Sequence, residues 1–474
     1  MRAPLVPVSH RLRLRRLRNK RVLYLLISLT ACMLAAVGLY FLPPVHERLS
    51  WRLENLWSEI RFFFNPPEQA LFVPNQQQPL DMMVTQTLAA LETASVTATP
   101  SAASPTPTIT GTPLPPSVLL PVEVYVDQCY RWNYCGPSNL TMALNYWGWD
   151  GTRDDVAAAI KPGVQDPNLQ FFQQGETDKN VTMPEMVEFV NGSTPLRALY
   201  RYGGEINLLK NLLVHGFPVV LEQGYYTYTS DGAYEWVGHY AFVTGYDDTR
   251  GGMIWQDTYP HSCPDGSSAA EREAWGRDNL TSYSEFESGW HVFNHIFVLV
   301  YPAYREQEVL TLLGPWAEAE WAAQHALDLV EAEIPLLSAD DLYFAWFSKG
   351  TSLVALQRYQ EAAYAFDTAF QVYASLGSDG IDQPVPYRNV WYQDSPYWAY
   401  YFTGRYADVV ALADLTLSTV RGVPTLEESI YWRSLAEYAL GDIESAIADM
   451  REVVRLKYNN QAARDKLREW GVSP

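Results

Sequence analysis

Residues Asp127–Gly148 read DQCYRWNYCGPSNLTMALNYWG and carry the pattern that decides the fold of the middle of the chain. Four apolar residues follow the i, i+3, i+4, i+7 spacing of one helix face: Leu140, Ala143, Leu144 and Trp147. Gly148 favours the end of this helix. Cys135-Gly136-Pro137 favours its start, with Pro137 at the first helical position, where a missing N–H is tolerated. The stretch therefore predicts a helix that begins at Cys135.

Cys135 is the candidate nucleophile of this stretch. A thiol attacks only as its thiolate, and a helix start favours negative charge through the helix dipole and the free backbone amides. Gly136 is expected to leave backbone room for a substrate carbonyl. The alternative is a small buried cysteine without chemistry, but such a residue would more naturally lie on the apolar face, as Ala143 does. The pattern favours a reactive Cys135.

A candidate base and its partner follow later in the chain. The sequence GHYAFVTGYDD places His239 at the start of an apolar strand, and GGMIWQD ends at Asp257. Because Asp247–Gly252 carries turn signals, the two strands are predicted to be antiparallel neighbours that bring His239 and Asp257 together. A carboxylate there would orient the imidazole and stabilise its charged form. Taken alone, His239 is typical of a strand end and Asp257 of a turn. The order Gln128, Cys135, His239, Asp257 along the chain is what favours a catalytic role for these residues.

Residues 118–303 combine this helix with strand-like runs. Four such runs are present: Pro218–Gln223, His239–Tyr246, Gly252–Asp257 and Val292–Tyr301. A helix and several strands within one region of this length predict an α+β domain.

Several of these motifs resemble one family of enzymes. Gln128, CGPSNLTMALNYWG, HGFPVVLEQ, GHYAFVTGYD and WQD are similar to the bacteriocin-processing, double-glycine-leader cysteine peptidases and to the broader papain-like group of peptidase C39-like domains. The resemblance covers residues 118–303 and implies a papain-like fold and hydrolysis of peptide bonds. No exporter accompanies the domain, so the leader specificity of the family is not carried over.

The resemblance also implies roles for four residues. Cys135 would be the nucleophile, His239 the general base and acid, and Asp257 the residue that orients the imidazole. Gln128 would donate to the oxyanion, which acyl transfer requires because charge develops on the former carbonyl oxygen. Gln128 lies seven residues before Cys135, where the family usually has six, and one extra loop residue would absorb the difference.

Residues 310–474 are predicted to be helical and repetitive. Residues at the spacing of the tetratricopeptide repeat occur in three units: Trp346, Gly350, Leu353, Tyr359, Ala362, Phe366 and Ala369; Gly404, Tyr406 and Val409; Ser434, Gly441, Ala446, Met450 and Val453. Residues 375–395 interrupt the array, and Lys457–Trp470 would be the closing helix. The prediction is an all-α tetratricopeptide-repeat solenoid that offers a concave surface to a peptide or protein partner. A generic helical bundle is the alternative.

The N-terminal part predicts a membrane anchor. Val22–Leu42 is 21 residues without a charge, which is long enough to cross the hydrocarbon core as a helix. A cleavable signal peptide is the alternative, but the run is too long and no A-x-A site follows it. Eight Lys and Arg lie within residues 1–22 without Asp or Glu. The positive-inside rule therefore predicts a single-pass protein of the cell membrane, with residues 1–21 as a basic cytoplasmic arm and the bulk extracytoplasmic in a bacterial envelope.

Two segments separate the predicted span from the α+β domain. Residues 43–81 contain an amphipathic pattern typical of a juxtamembrane helix. Residues 82–117 are rich in Thr, Ser, Ala and Pro and are predicted to be an extended linker.

The chain carries a formal charge of −20, and beyond residue 22 it holds 26 Lys and Arg against 54 Asp and Glu. Nucleic acid is therefore excluded as a partner.

These patterns predict a membrane-anchored, outward-facing cysteine peptidase that acts on a peptide or protein through Cys135, His239, Asp257 and Gln128. The alternatives are an inactive papain-like scaffold that binds a partner, and a transpeptidase or amidase that uses the same acyl-enzyme. No cofactor or metal is predicted. His291 and His295 would suit zinc only on a helix, and their surroundings read as a strand. The sequence leaves open whether Cys129 and Cys263 form a disulfide.

Overall fold

A computed structural model describes residues 113–131, 133–164, 179–228, 234–376, 389–419 and 426–474, together with Tyr24, Gly38, Tyr40, Val45, Phe72 and Pro74. The chain divides into two compact units, Met1–Phe63 and Phe64–Pro474. The basic arm and nearly all of the predicted span, the juxtamembrane segment and the linker lie outside the described residues. Within the described part, no helix is both long and apolar enough to cross a bilayer.

The α+β region is built on one sheet. Its described strands are β1 (Ser117–Leu119), β2 (Leu196–Arg201), β3 (Val219–Tyr228), β4 (Tyr234–Asp247), β5 (Gly252–Gln256), β6 (Asn279–Ser282) and β7 (Phe297–Pro302). The order across the sheet is β2-β7-β3-β4-β5-β6, and β1 also pairs with β4. Every pair in this order is antiparallel. A fully antiparallel sheet is the architecture that the predicted α+β class requires.

Strands β4 and β5 form the predicted antiparallel pair. Asp247 lies opposite Gly252 at the turn, and Phe242 lies opposite Gln256. A bulge between Val243 and Gly245 shifts the register. His239 therefore lies near the same end of the sheet as the residue that follows β5, which is Asp257.

The predicted strand Val292–Tyr301 is wrong in its first half. Strand β7 begins only at Phe297, and the preceding residues end a helix, Tyr283–His291, and then turn. Asn294 and His295 have left-handed φ angles of 56° and 50°, which an extended strand does not allow. The turn is fixed by Trp290, whose indole N–H donates to the carbonyl of Ile296 at 2.8 Å.

Among the described residues, the helices that accompany the sheet are α1 (Cys135–Tyr146), α2 (Arg153–Ile160), α3 (Met183–Ser193), α4 (Ile206–Val214), α5 (Ala269–Gly276) and α6 (Tyr283–His291). Helix α1 begins at Cys135 as predicted, and Gly148 follows its end with a φ of 85°. Pro137 is the third helical residue and not the first. The position is still tolerated, because the first N–H to bond back into the helix is that of Ser138, to the carbonyl of Tyr134 at 2.9 Å.

The rest of the chain is helical. Its described helices are α7 (Glu306–Leu313), α8 (Ala319–Glu333), α9 (Ala339–Ala355), α10 (Tyr359–Leu376), α11 (Asn389–Tyr392), α12 (Ser395–Phe402), α13 (Tyr406–Thr419), α14 (Glu427–Leu440), α15 (Ile443–Leu456) and α16 (Gln461–Glu469). Helices α9 and α10 approach closely at Gly350, where a Cβ would lie 2.6 Å from the ring of Phe366. We call residues 306–474 the helical region. Its assignment to tetratricopeptide repeats stays a prediction.

The helical region and the sheet share one hydrophobic core. A continuous cluster of buried side chains runs from α1 and β4 into helices α9, α10 and α14. Trp236 of β4 connects the two parts, since its ring centroid lies 5.4 Å from Phe344 of α9 and 5.9 Å from Phe293. The helical region therefore packs against the α+β region over an apolar face.

A buried ion cluster crosses the same boundary. The ammonium of Lys161 lies 3.0 Å from Glu185 and 2.5 Å from Glu427, and it also bonds Glu428. Lys457 lies 2.5 Å from Glu185. Burial raises the pKa of Glu185, but the two ammonium groups outweigh burial and lower it to about 2. Burial and the charge of Glu427 raise the pKa of Glu428.

Within the described residues, the carboxyl groups of Glu185, Glu427 and Glu428 also form a set of potential metal ligands. Their oxygens lie within 4.8 Å of one another. The Lys161 ammonium lies among them and is 4% exposed, so a cation of the protein itself neutralises this site.

We expect Lys161→Met to lower the free energy of unfolding by about 3 to 5 kcal/mol, because it leaves buried carboxylates without their counterion. Urea-induced unfolding followed by tryptophan fluorescence measures the change. Arg468→Met is the matched control, since Arg468 pairs with Asp465 at an exposed site and should cost less than about 1 kcal/mol. Equal losses in the two variants would contradict a structural role for the buried cluster.

Candidate active site

Cys135 occupies the first residue of helix α1. It is 5% exposed and is the free cysteine of the described residues. The first intrahelical bond is made by the N–H of Ser138, so the backbone N–H of Cys135 and that of Gly136 have no helical acceptor. Cys135 therefore lies at the positive end of the helix dipole.

Gly136 serves packing and not substrate access. A Cβ at this position would lie 2.3 Å from Val181, 2.8 Å from Met186 and 3.3 Å from the ring of Tyr240. The expectation that Gly136 leaves room for a substrate carbonyl is therefore wrong. Glycine is required because the start of α1 presses against the residues that open helix α3 and against β4.

His239 lies between Cys135 and Asp257. Its Nε2 is 3.4 Å from Oδ1 of Asp257, and the Cys135 side chain is close enough to raise the pKa of the imidazole. The 3.4 Å separation is longer than a well-formed hydrogen bond, and within the described residues Nε2 has no closer partner. Such contacts are commonly loose in empty sites and tighten when substrate binds. The structure thus brings the three residues together in the predicted order.

The surroundings of His239 set its charge. The residue is 3% exposed, and burial by itself lowers the pKa of an imidazole. The side chains of Asp257 and Cys135 outweigh burial and raise the pKa of His239 to about 9. The rings of Tyr225 and Trp255 contact the imidazole edge to face, with centroids at 6.1 and 6.3 Å. The site therefore favours the imidazolium.

Asp257 is held by its own loop. Its Oδ1 accepts a hydrogen bond from the backbone N–H of Tyr259 at 2.8 Å. Its backbone N–H donates to the carbonyl of Gly276 at 2.8 Å, and its carbonyl accepts from the hydroxyl of Tyr125. The carboxylate is 21% exposed, so it remains partly hydrated while it faces the buried imidazole.

Hydrogen bonds to Thr258 hold Gln128 and orient its side-chain amide. Its backbone N–H donates to the carbonyl of Thr258 at 2.7 Å, and its Oε1 accepts from the Thr258 hydroxyl at 3.1 Å. Because the oxygen is engaged, the NH₂ group is the end of the side chain that remains for a ligand. Thr258 directly follows Asp257, so one short loop positions both residues.

Asn139 is a site residue that the sequence reasoning missed. Its Nδ2 donates to the carbonyl of Cys135 at 2.8 Å and to the carbonyl of Tyr240 at 2.9 Å. It therefore ties the first turn of α1 to the residue after His239. Its position one turn after Cys135 was a usable signal, since residues i and i+4 lie on one face of a helix.

A disulfide joins the two loops that carry Gln128 and Asp257. Cys129 and Cys263 are bonded, with Cα atoms 5.3 Å apart, so the pairing that the sequence left open is present. Asp127 anchors the first loop further, because its carboxylate lies 3.0 Å from Arg153 and 2.8 Å from Arg272. The loop of the oxyanion-donor candidate is thus fixed on both sides of Gln128.

The helical region reaches the strand that bears His239. Gly238 directly precedes the histidine, and a Cβ there would lie 2.8 Å from the ring of Tyr392 in α11. The ring of Tyr392 also contacts Phe293 at a centroid distance of 5.8 Å. The nearby Asn180 donates to the carbonyl of Trp391 at 2.5 Å. The helical region therefore packs against the strand that bears His239.

The two histidines considered for zinc are engaged separately. His295 lies 2.8 Å from Glu287, and Nδ1 of His291 lies 2.9 Å from the carbonyl of Ser288. His291 ends helix α6 and His295 lies in the turn beyond it, so they do not share one regular helix as a zinc pair at i and i+4 requires.

The comparisons with known proteins concern the α+β region. A family model described as the Peptidase_C39 like family matches residues 120–283. A solved structure from Bacillus anthracis that is described as a C39-like peptidase matches with 18% identity, covering 39% of this chain and 96% of that chain, at a TM-score of 0.28. A TM-score this low carries no structural weight. No curated protein matches the chain. Residues 120–283 therefore form a Peptidase_C39-like domain, and the match does not extend to the helical region.

Proposed function

We propose that this protein is a cysteine peptidase, with Cys135 as nucleophile, His239 as general base and acid, Asp257 as the orienting carboxylate and Gln128 as oxyanion donor. The observation that carries the proposal is the convergence of Cys135, His239 and Asp257 around one buried imidazole. The Peptidase_C39-like match over residues 120–283 supports the same chemistry.

In the first half of the reaction, the Cys135 sulfur attacks the carbonyl carbon of a peptide bond. A C–S bond forms, and the negative charge moves to the carbonyl oxygen, where the Gln128 amide and the free N–H groups at the start of α1 donate to it. Nε2 of His239 faces Asp257, which leaves Nδ1 for the reacting atoms. The imidazolium gives its proton to the leaving nitrogen, and the C–N bond breaks.

In the second half, water attacks the thioester carbon. His239 takes one proton from that water, the C–S bond breaks, and the sulfur leaves as the thiolate that pairs again with the imidazolium. The products are a carboxylic acid and an amine. An amine in place of water would give a transpeptidase, and product analysis by mass spectrometry with added amine distinguishes the two reactions.

We further propose that the protein is anchored in the cell membrane by residues 22–42, with the peptidase region outside the cytoplasm. The apolar run and the basic arm before it support the anchor. The Cys129–Cys263 disulfide supports the outside location, because disulfides persist in oxidising compartments. The helical region would bind a substrate or partner as a repeat array.

One observation favours a second candidate, a binding scaffold without catalysis. Cys135 and His239 are almost wholly buried, and an attacking sulfur must meet its substrate. A papain-like fold can keep its cleft and lose its chemistry. Reactivity of the thiol toward a peptide-like reagent separates the two candidates.

We expect a peptidyl electrophile to label the full-length chain at Cys135. The chain carries Cys32→Ala, so that Cys135 is its single free thiol, and Cys135→Ala should then lose all labelling. Intact-mass spectrometry measures the adduct. If the chain that retains Cys135 is labelled no faster than free cysteine, the binding scaffold is the better-supported function. Equal labelling of the chains with and without Cys135 would place the reactive atom elsewhere.

We expect the pH profile of Cys135 alkylation by iodoacetamide to report His239. Its raised pKa means that the thiolate–imidazolium pair persists below about pH 9 and is lost as the pH rises through that value. The rate of Cys135 alkylation should therefore change near pH 9, and this change is the upper step of the profile. Asp257→Asn removes the carboxylate and should move that step about one pH unit lower.

Asp248→Asn is the control for this profile, since Asp248 pairs with Lys210 outside the site and is 43% exposed. Its upper step should stay in place. A step that moves equally in both variants, or in neither, would argue against an Asp257–His239 interaction.

We expect Gln128→Ala to weaken inhibition by a peptide aldehyde about 100-fold, since the thiohemiacetal carries an oxyanion. The same variant should be alkylated by iodoacetamide at the native rate, because that reaction forms no oxyanion. Gln324→Ala, at an exposed site where Gln324 bonds Asp328, should change neither value. Parallel losses in both assays would mean that Gln128 supports the fold and not the oxyanion.

A further inference from the structure

The contact between His239 and Asp257 does not by itself fix the orientation of the imidazole. Its Nε2–Oδ1 separation of 3.4 Å is longer than a well-formed hydrogen bond. Two aromatic rings also meet the imidazole: Tyr225 at a centroid distance of 6.1 Å and an interplanar angle of 78°, and Trp255 at 6.3 Å and 69°. Both distances lie in the range of about 4.5 to 7 Å that favours edge-to-face ring pairs.

The sheet places one ring on each side of the imidazole. Strand β4, which bears His239, lies between β3 and β5. Gln223 of β3 lies opposite His239, so Tyr225, two residues further on, projects from the same face of the sheet. Trp255 of β5 lies opposite Val243, which is four residues from His239 and therefore on that face as well. The two rings thus approach the imidazole from the two neighbouring strands.

Each of the two rings belongs to a segment that is held in place. The indole N–H of Trp255 donates to the hydroxyl of Thr281 in β6 at 2.9 Å. Tyr225 directly follows Gly224, and the other face of the sheet is closely packed there, since a Cβ on Gly224 would collide with the ring of Trp236. Neither ring is therefore free to move away from the imidazole without disturbing other contacts.

The rings also shield the imidazole. Tyr225 and Trp255 are half-buried, whereas the imidazole of His239 is 3% exposed. Apart from burial, Asp257 after β5 and Cys135 of α1 bear most on the pKa of the imidazole. Burial and the charges of these two groups hold the pKa of Tyr225 well above its usual range, so the phenol of β3 stays neutral. The contribution of Tyr225 to the imidazole is thus that of an uncharged ring.

We propose that Tyr225 and Trp255 are positioning residues of the site, whose rings hold the imidazole of His239 in the orientation that the proposed reaction needs. We call the two rings the aromatic clamp. The proposal rests on the role of His239 in the proposed function. An imidazole without the clamp would lose both the burial that lowers its pKa and the orientation toward the groups that raise it. Because the net shift is upward, the pKa should then fall toward its ordinary value of about 6.5.

The first test follows the imidazole directly in the full-length chain, labelled with histidine that carries ¹³C at Cε1 and kept in detergent. The nuclear magnetic resonance signal of His239 is assigned by its absence from His239→Gln, and its titration gives the pKa. We expect Tyr225→Leu and Trp255→Leu each to titrate about one pH unit lower than the native chain. Tyr225→Phe keeps the ring and should titrate as the native chain does.

Trp321→Leu is the matched control, since Trp321 stacks on another histidine, His325, at 4.8 Å and is 39% exposed. It should leave the titration of His239 unchanged. An equal shift in the control would mean general loosening of the fold and would overturn the proposal. A Tyr225→Phe chain that titrates one pH unit lower would also overturn it, because the hydroxyl and not the ring would then act. Unchanged titration in Trp255→Leu would do the same, even if Tyr225→Leu did not fold.

A second measurement separates orientation from exclusion of water. If the clamp directs the imidazole toward Asp257, its effect depends on that carboxylate. Tyr225→Leu should therefore lower the pKa of His239 at most about half as much in an Asp257→Asn chain as in the native chain. Equal shifts in the two chains would mean that the ring only excludes water, and the positioning role would fail.

The titration of His239 requires neither a substrate nor a reactive thiol. A chain that is not labelled at Cys135 but shows the expected shifts would keep the clamp and lose the peptidase. A chain that is labelled at Cys135 but shows no shift in either leucine variant would keep the peptidase and lose the clamp.

Discussion

The charge on the buried imidazole of His239 is the constraint on which the site depends. Burial to 3% exposure by itself favours the neutral ring. The Asp257 carboxylate reverses this preference from 3.4 Å away, and the pKa of His239 rises to about 9. Partial hydration of Asp257 is part of the arrangement, because a fully buried carboxylate would resist ionisation itself.

Local contacts keep that geometry with little freedom. Asn139 ties the start of α1 to β4, and Thr258 couples the Gln128 amide to the loop of Asp257. The Cys129–Cys263 disulfide closes the same two loops covalently. The residues of the proposed site are thus held in place by neighbours with no proposed catalytic role, an arrangement that would suit preorganised catalysis.

The sequence predicted those parts of the site that depend on local pattern. The helix from Cys135 follows from apolar spacing, and the meeting of His239 with Asp257 follows from the turn between two strands. The role of Gly136 was missed because Val181, a distant residue in sequence, fills the space beside it. Local pattern also misled at Val292–Tyr301, where apolar residues read as a strand although Asn294 and His295 turn the chain. The burial of Phe72 had no local signal at all, since it packs against helices far along the chain.

The helical region contacts the strand that bears His239 directly. Tyr392 of α11 lies against Gly238, and any side chain at position 238 would displace either Tyr392 or the strand that carries His239. Helix α12 begins three residues after Tyr392, and the ring of its Tyr400 lies 6.0 Å from the ring of Phe72. Tyr392, which supports the histidine strand, and Tyr400, which covers Phe72, therefore belong to adjacent short helices. One pair of short helices thus contributes both to the strand that bears His239 and to the core around Phe72.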